Sequence, residues 1–352
     1  MADDHEPGDQ DLQVFLTRDY GSTSIRTARH AGAVEKLRAG AWIARPDPEE
    51  ARWRMRERNE KARCHALDRQ LRSAHLFCLV SAALLHGCRV WQLPTGADVV
   101  QKNTATRARS RDVRRHSFSV PDHDVCQVDG LAVTSLERTL VDCARFLQPR
   151  DAMVIVDSGL ALLSDPDKWH REESDSRVET ARVRLLARLD GLGGRRGVRR
   201  ARAVITHADA YAESAAESVL RWIAVAHGFP PPLTQYRIDV GGRTFFTDLA
   251  WRVVDGQVTR IVHAEFDGEL KYGGELGQRE LVREKEREDL IRERGDTFRR
   301  FVSGDLRSLP RTIQRLASAF PLSARASFRP VPDLLGVPRP ARYRRRKRKP
   351  ES

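Results

Sequence analysis

The acidic residues that could do chemistry lie in the last third of the chain. Asp248 stands in Thr247-Asp-Leu-Ala-Trp251, and Glu265 and Asp267 stand two apart in Ala264-Glu-Phe-Asp-Gly268. Residues two apart on an extended strand project to one face, so Glu265 and Asp267 point together, along with His263. Two carboxylates on adjacent strands can share one hard cation, because Mg²⁺ takes oxygen ligands and keeps several waters for a substrate phosphate. Such an ion would activate a water and neutralise a phosphodiester in its transition state, which is hydrolytic DNA chemistry. A second reading of the same acids stays open: Asp248 and Asp267 as turn residues at strand ends, where Asp is common.

The elements that must hold these acids follow from periodicity and turn residues. Residues 213–227 carry Val219, Leu220, Trp222, Ile223 and Ala226 at helical spacing, with Glu217 three before Leu220. Gly228 and residues 230–232, all proline, stop that helix. Strands are expected over 235–240, 244–253 and 258–267, joined by Gly241-Gly242 and Asp255-Gly256 as hairpin turns. A charged helix over 279–294, ended by Gly295, precedes a last strand over 297–303. In that helix Val282, Glu286 and Leu290 recur at four-residue steps beside Leu281 and Lys285, which directs Lys285 or Glu286 toward the sheet. A solvated helix laced by i,i+4 ion pairs is the competing reading.

The order helix, three strands, helix, strand, with Thr247-Asp-Leu-Ala-Trp251, Ala264-Glu-Phe-Asp-Gly268, Lys271-Tyr272 and Arg283-Glu-Lys-Glu-Arg-Glu-Asp289, resembles the PD-(D/E)XK nuclease superfamily. The likeness is strongest to its very-short-patch-repair-like endonuclease branch and spans residues 206–305. The resemblance implies Asp248 and Glu265 as metal ligands for Mg²⁺ and Glu217 as the first-helix acid. It puts Asp267 where the family carries a lysine, and Lys271 or Lys285 would then supply the cation that stabilises developing negative charge.

Earlier in the chain, Val80-Ser-Ala-Ala-Leu-Leu-His-Gly87 and Val128-Asp-Gly-Leu-Ala-Val-Thr-Ser-Leu-Glu-Arg-Thr-Leu-Val-Asp142 resemble the signatures of the AbiEi-type antitoxin family. The likeness covers residues 10–165 and implies a winged helix-turn-helix, transcriptional autorepression and a nucleotidyltransferase toxin as partner. By their own chemistry the same residues suit a helix over 79–86 closed by Gly87 and a turn at Gly130. They also suit a helix capped by Thr134 or Ser135, on which Arg138 and Asp142 can pair. His86 reads as a packing or capping histidine.

Residues 10–16, 25–30 and 33–39 read as three short helices, broken at Gly21, Gly32 and Gly40 and followed by Trp42-Ile43. A helix-turn-helix with a stunted wing would present Arg26, Arg29, Lys36 and Arg38 to DNA. A small helical cap with solvated charges is the alternative.

Composition agrees with a polyanionic partner. Lys and Arg number 62 against 49 Asp and Glu over 352 residues, a formal charge of +13. The last 22 residues contribute +6 of it, and seven cations fall within residues 342–349, expected to be disordered. The opening Asp3, Asp4 and Glu6 are not a secretory signal, and the longest apolar run, residues 76–85, is too short to span a membrane. The five cysteines form no CxxC pair and read as reduced thiols, so a cytoplasmic chain is expected.

The expectation is an α+β protein: a winged helix-turn-helix-like module (1–60), an AbiEi-like module (61–165), a helical connector (166–205), a restriction-endonuclease-like αβββαβ domain (206–320) and a disordered basic tail (321–352). Its leading function is a DNA-binding, antitoxin-like regulator with an endonuclease-like domain. The rivals are a working Mg²⁺-dependent DNA endonuclease and a toxin-binding protein without a DNA role.

Overall fold

Short elements separated by glycine open the chain. The computed structural model describes residues 12–45, 52–101, 112–267, 288, 291 and 293–336. Strand β1 (Val14–Leu16) leads into helices α1 (Thr17–Tyr20) and α2 (Ser22–His30), and Gly21 separates the two. Strands β2 (Val34–Arg38) and β3 (Ala41–Ala44) pair antiparallel, and β3 also pairs with β1, giving a three-stranded sheet in the order β1-β3-β2. Leu16, Leu37, Ala41 and Ile43 fill its core.

Two of the three expected helices are therefore strands. Over 10–16 the described chain holds β1, whose partners Ile43, Trp42 and Ala41 lie far along the sequence. Over 33–39 the chain forms β2, and a register shift between Lys36 and Arg38 explains the misreading. The irregularity lets Val34 and Leu37, three apart, both be buried, which imitates helical spacing.

Helix α3 (Arg52–Gln70) joins two cores. Ala62 and Ala66 close the N-terminal core, whereas Cys64 and Leu67 belong to the next one with Phe77, Val99 and Val133. The boundary expected at 60/61 falls inside this helix. The second core lies on a five-stranded mixed sheet, β6-β5-β4-β8-β7, built from β4 (Leu76–Phe77), β5 (Ala97–Val100), β6 (Val113–His116), β7 (Val125–Val128) and β8 (Leu131–Thr134).

Helices α4 (Leu79–Leu85), α5 (Leu136–Phe146), α6 (Pro149–Ser164), α7 (Arg171–Asp190), α8 (Val198–Thr206) and α9 (Ala215–Ala226) contribute to one large core. The residues expected to be a connector are part of it: Leu185 and Leu189 of α7 and Val204 and Ile205 of α8 are fully buried with Leu140 and Leu220. A helix hidden on its inner stripe holds neighbours together instead of spacing them.

The C-terminal sheet has the order β12-β11-β10-β9, from β9 (Leu233–Val240), β10 (Arg243–Asp255), β11 (Val258–Asp267) and β12 (Thr297–Val302). The first three form antiparallel hairpins, with Gly241 and Gly242 at φ 58° and 71° supplying the left-handed turn that joins β9 to β10. β12 runs parallel to β11. Leu249, Trp251, Val262 and Ala264 join the large core that includes α9, and Ile238, Ile291 and Phe298 form a separate small core. The expected tail is ordered at its start: Val331 N donates to Ala226 O at 3.1 Å, and Leu334 is fully buried. The basic run at 342–349 lies outside the described residues.

The architecture is thus mixed, with several sheets and helices, in agreement with the α+β expectation. Among the described residues no helix is long and apolar enough to cross a membrane.

Candidate functional site

The pairing of β10 with β11 runs from Leu249↔Ala264 to Asp255↔Val258, and one further step of that register sets Asp248 opposite Glu265. Asp248 Oδ2 accepts a hydrogen bond from Phe266 N at 2.7 Å, which fixes its carboxylate against β11. On the other edge, Thr247↔Tyr236 and Leu249↔Thr234 flank a step at which Gln235 stands across from Asp248. Gln235 has φ 43°, a left-handed conformation that costs a non-glycine residue energy and that concentrates at functional sites.

Glu217 reaches this place from the first turn of α9. Ser214 Oγ accepts from Glu217 N at 3.1 Å, and Glu217 Oε2 accepts from Glu213 N at 2.8 Å, so the pair secures the start of the helix. Gln235 Nε2 also donates to Glu217 Oε2, at 3.3 Å. Lys168 Nζ lies 2.6 Å from Glu213 Oε1 and 3.4 Å from Gln235 Oε1, bringing a cation to the rim.

Electrostatics marks the cluster. Burial, then the charge of Glu217, then that of Glu265 drive the Asp248 carboxyl up to about 8 against the opposing pull of the Phe266 N–H. Burial also raises Glu217. Neighbouring carboxylates in a poorly solvated place disfavour joint ionisation, and a cation would relieve that cost. Among the described residues no group of three or more His, Cys, Asp or Glu could hold a metal ion together. Asp248 and Glu265 remain as a pair of oxygen donors, which suits Mg²⁺ with water completing its shell.

The other expected residues fall elsewhere. Asp267 ends β11 and pairs with Arg300 of β12, Nη1 to Oδ2 at 3.3 Å. Lys271 and Lys285 lie outside the described residues. Arg300 was not foreseen; β12 sets it beside Glu265 in the parallel ladder, a pairing no local pattern reveals. His263 is nearly inaccessible, with Nδ1 3.1 Å from Thr247 Oγ1, and burial lowers it to about 4 although Asp296 opposes the shift. It is neutral at pH 7.

Two cavities lie beside the cluster, one of 770 Å³ lined by Asp165, Lys168, Tyr211 and Glu213, the other of 740 Å³ lined by Arg171, Gln235, Arg237 and Arg252. Lys168 and Trp169 line both. Trp169 is 55% exposed, packs edge-on against Phe246 at 4.6 Å and lies 6.0 Å from the Arg237 guanidinium.

In the N-terminal unit Ile25 is buried and Arg26 and Arg29 are exposed on α2, while Lys36 is exposed on β2. Arg38 departs from expectation: its side chain is 11% exposed and its Nε lies 2.8 Å from Asp112 Oδ2, ahead of β6. It ties the hairpin to the five-stranded sheet instead of facing outward. His86 packs as expected, with Nε2 2.8 Å from Thr134 O, and Arg138 Nε pairs with Asp142 at 2.6 Å.

No family model matches the chain. Two Mycobacterium tuberculosis proteins described as uncharacterized, MT2308 of strain CDC 1551 / Oshkosh and Rv2248 of strain H37Rv, are each 31% identical over 193 residues. The match takes in 54% of this chain and 62% of each relative, less than two thirds of their length. A crystal structure of the RV2827C protein from Mycobacterium tuberculosis is 20% identical, covering 55% of this chain and 75% of that one with a TM-score of 0.28.

Proposed function

We propose that the chain is a DNA-binding protein whose C-terminal sheet carries a Mg²⁺-dependent site for phosphodiester hydrolysis. The observation that carries this reading is the crowding of Glu217, Asp248 and Glu265, which lifts Asp248 to about 8. Crowded buried carboxylates are costly, and such perturbed groups concentrate at functional sites. The helix–three strands–strand order and the parallel β11–β12 pair support a restriction-endonuclease-like fold for this part. The helix pair followed by a hairpin supports a winged helix for the N-terminal part, with Arg26, Arg29 and Lys36 as phosphate contacts.

In this mechanism Asp248 and Glu265 would hold the ion, which would supply positive charge against the scissile phosphate and acidify a water. Asp248 would hold the ion as a carboxylate, its proton passing to solvent. The water would lose a proton to solvent as its oxygen bonds to phosphorus, and the leaving oxygen would take one up from solvent as its bond to phosphorus breaks. Gln235 and Glu217 hold the acids' surroundings in place, Arg300 contributes a guanidinium beside Glu265, and Trp169 offers a face on which an unpaired base can stack.

Incubating the purified chain with duplex and single-stranded DNA and Mg²⁺ or Mn²⁺ tests the reading. Cleavage is expected, with Asp248→Asn and Glu265→Gln each at least about 100-fold slower, the scale of losing one electrostatic catalytic group. Absence of cleavage with either ion, or unimpaired variants, sinks it.

The Asp267–Arg300 pair favours a second reading, because a carboxylate tied to arginine stands where a nuclease of this kind carries its lysine. In that reading the chain is an antitoxin-like regulator that binds DNA without cutting it. It predicts salt-sensitive duplex binding, no cleavage, and co-purification with a nucleotidyltransferase.

A further inference from the structure

A third cavity, remote from the acids, is built for a different ligand. It has a volume of 390 Å³ and lies between the five-stranded sheet, the end of α5 and the start of α8. Arg114, Arg145, Arg196 and Arg200 line it with a single acid, Asp98. Asp98 is 1% exposed and already engaged, by Arg114 and by His116 Nε2 at 2.8 Å. Arg145 is in turn paired with Asp142, so Arg196 and Arg200 face the cavity in excess of its negative charge.

Those arginines are set in place by the fold. Arg145 is 7% exposed; its Nη1 reaches Asp142 Oδ1 at 3.2 Å and its Nη2 donates to Arg196 O at 3.3 Å. Arg200 Nη2 donates to Arg145 O. The Nε atoms of both Arg145 and Arg200 are buried with no hydrogen-bond partner, which leaves both guanidiniums short of acceptors. Burial, and then the charge of Arg196, lower the Arg200 pKa, the mark of cations crowded together.

The glycine-rich approach to α8 makes this crowding possible. Gly197 has φ 84°, and a Cβ there would meet Arg145 O at 2.4 Å, so only glycine lets the loop of Arg196 lie against the end of α5. Leu79 of the wall holds φ 49°, a strained conformation for a leucine.

One wall is aromatic. Phe118 and Phe146 stack with centroids 5.8 Å apart and planes 16° from parallel, and Phe146 is 40% exposed. The Arg145 guanidinium also lies 4.7 Å from the Phe146 centroid, so a flat base would meet the part of the ring left exposed, while arginines grip phosphate oxygens in bidentate fashion. The volume falls in the range of small-molecule sites.

We infer that this cavity binds a nucleotide bearing a 5′-phosphate, with the phosphate against Arg145, Arg196 and Arg200 and the base against Phe146. The same chemistry is presented by a free nucleoside monophosphate and by the 5′-phosphorylated end of a strand. The site is separate from the acid cluster and does not depend on the proposed hydrolysis.

Calorimetric titration of the full chain with AMP, GMP, CMP and UMP in turn, and with adenosine and inorganic phosphate, tests it. At least one monophosphate is expected to bind saturably, about ten-fold or more tighter than phosphate alone, and AMP similarly tighter than adenosine if AMP is that ligand. Arg196→Ala, at an exposed position and with an unchanged Tm as the check on folding, should weaken the nucleotide about ten-fold. Phe146→Ala should weaken the nucleotide by a larger factor than it weakens inorganic phosphate. No saturable binding by any of the four, binding no tighter than phosphate, or parent-like affinity in both variants overturns the inference. A 5′-phosphorylated oligonucleotide that binds more tightly than the monophosphate identifies the strand end as the ligand's source, and the reverse identifies the free nucleotide.

Discussion

Helix α9 carries two buried charges one turn apart that meet opposite fates. Arg221, 3% exposed, grips Asp157 of α6 with Nη2 2.5 Å and 2.6 Å from the two carboxylate oxygens, and Asp209 N donates to the same carboxylate at 2.9 Å. Burial alone would lower the guanidinium's pKa, yet Asp157 and Asp209 raise it overall. Glu217 instead adds its charge to the field that drives Asp248 up to about 8. The helix thus matches charge where it docks on α6 and accumulates like charge where it faces the sheet. A matched buried pair specifies packing; an unmatched group is a demand for something from outside.

The matched side should break hardest. Asp157→Ala leaves the Arg221 charge buried and alone, and is expected to cost about 3–5 kcal/mol in urea denaturation. A loss under about 1 kcal/mol would mean that the pair does not join α6 to α9 as described.

The crowded side should respond in the opposite direction. The folded chain keeps a proton on Asp248 between about pH 4 and 8 that the unfolded chain releases. Stability from this group is full below the ordinary carboxylate range and declines as pH rises through the folded value. Asp248→Asn, measured without divalent ions, should raise Tm by about 3 °C or more at pH 8 and change it little near pH 4. An equal shift at both would remove carboxylate crowding as the cause.

Ser214→Ala sharpens the contrast at smaller scale. It removes the hydroxyl that accepts from Glu217 N, and a loss of about 1 kcal/mol is expected from an N-cap. Smallest is the test of the same rule at the N-terminal unit. Arg26→Ala and Arg29→Ala, at exposed positions on α2, should each weaken duplex DNA binding only about three-fold and flatten the salt dependence by about 0.9 in log–log slope. Arg38→Ala, whose charge is matched by Asp112, should leave that slope unchanged while lowering Tm.

Much of the C-terminal sheet was legible because its first three strands are apolar runs separated by glycine turns. The expected strand over 258–267 coincides with β11, and the expected helix over 79–86 differs from α4 by one residue. The N-terminal unit was not, since the irregular register of β2 gives a strand the spacing of a helix. Domain boundaries were hidden for a related reason: α7 and α8 carry enough charge to read as solvated, yet each buries a narrow stripe that only its neighbours reveal. Within the site, Asp248 and Glu265 were readable as acids within strands, and Glu217 only through the family resemblance. Gln235 and Arg300 were not, because the first matters through its backbone angle and the second through a partner more than 30 residues away.

The segment that closes over α9 has a consequence for how the molecule is made. Trp222 Nε1 donates to Leu334 O at 3.0 Å, and Arg329 N donates to Gly228 O at 3.1 Å, so a helix near the middle of the chain is sealed by residues about a hundred positions later. During synthesis that helix waits with its apolar flank uncovered until the late segment emerges from the ribosome. In that interval the nascent protein is most open to chaperones, and a stop codon ahead of residue 329 would leave it there.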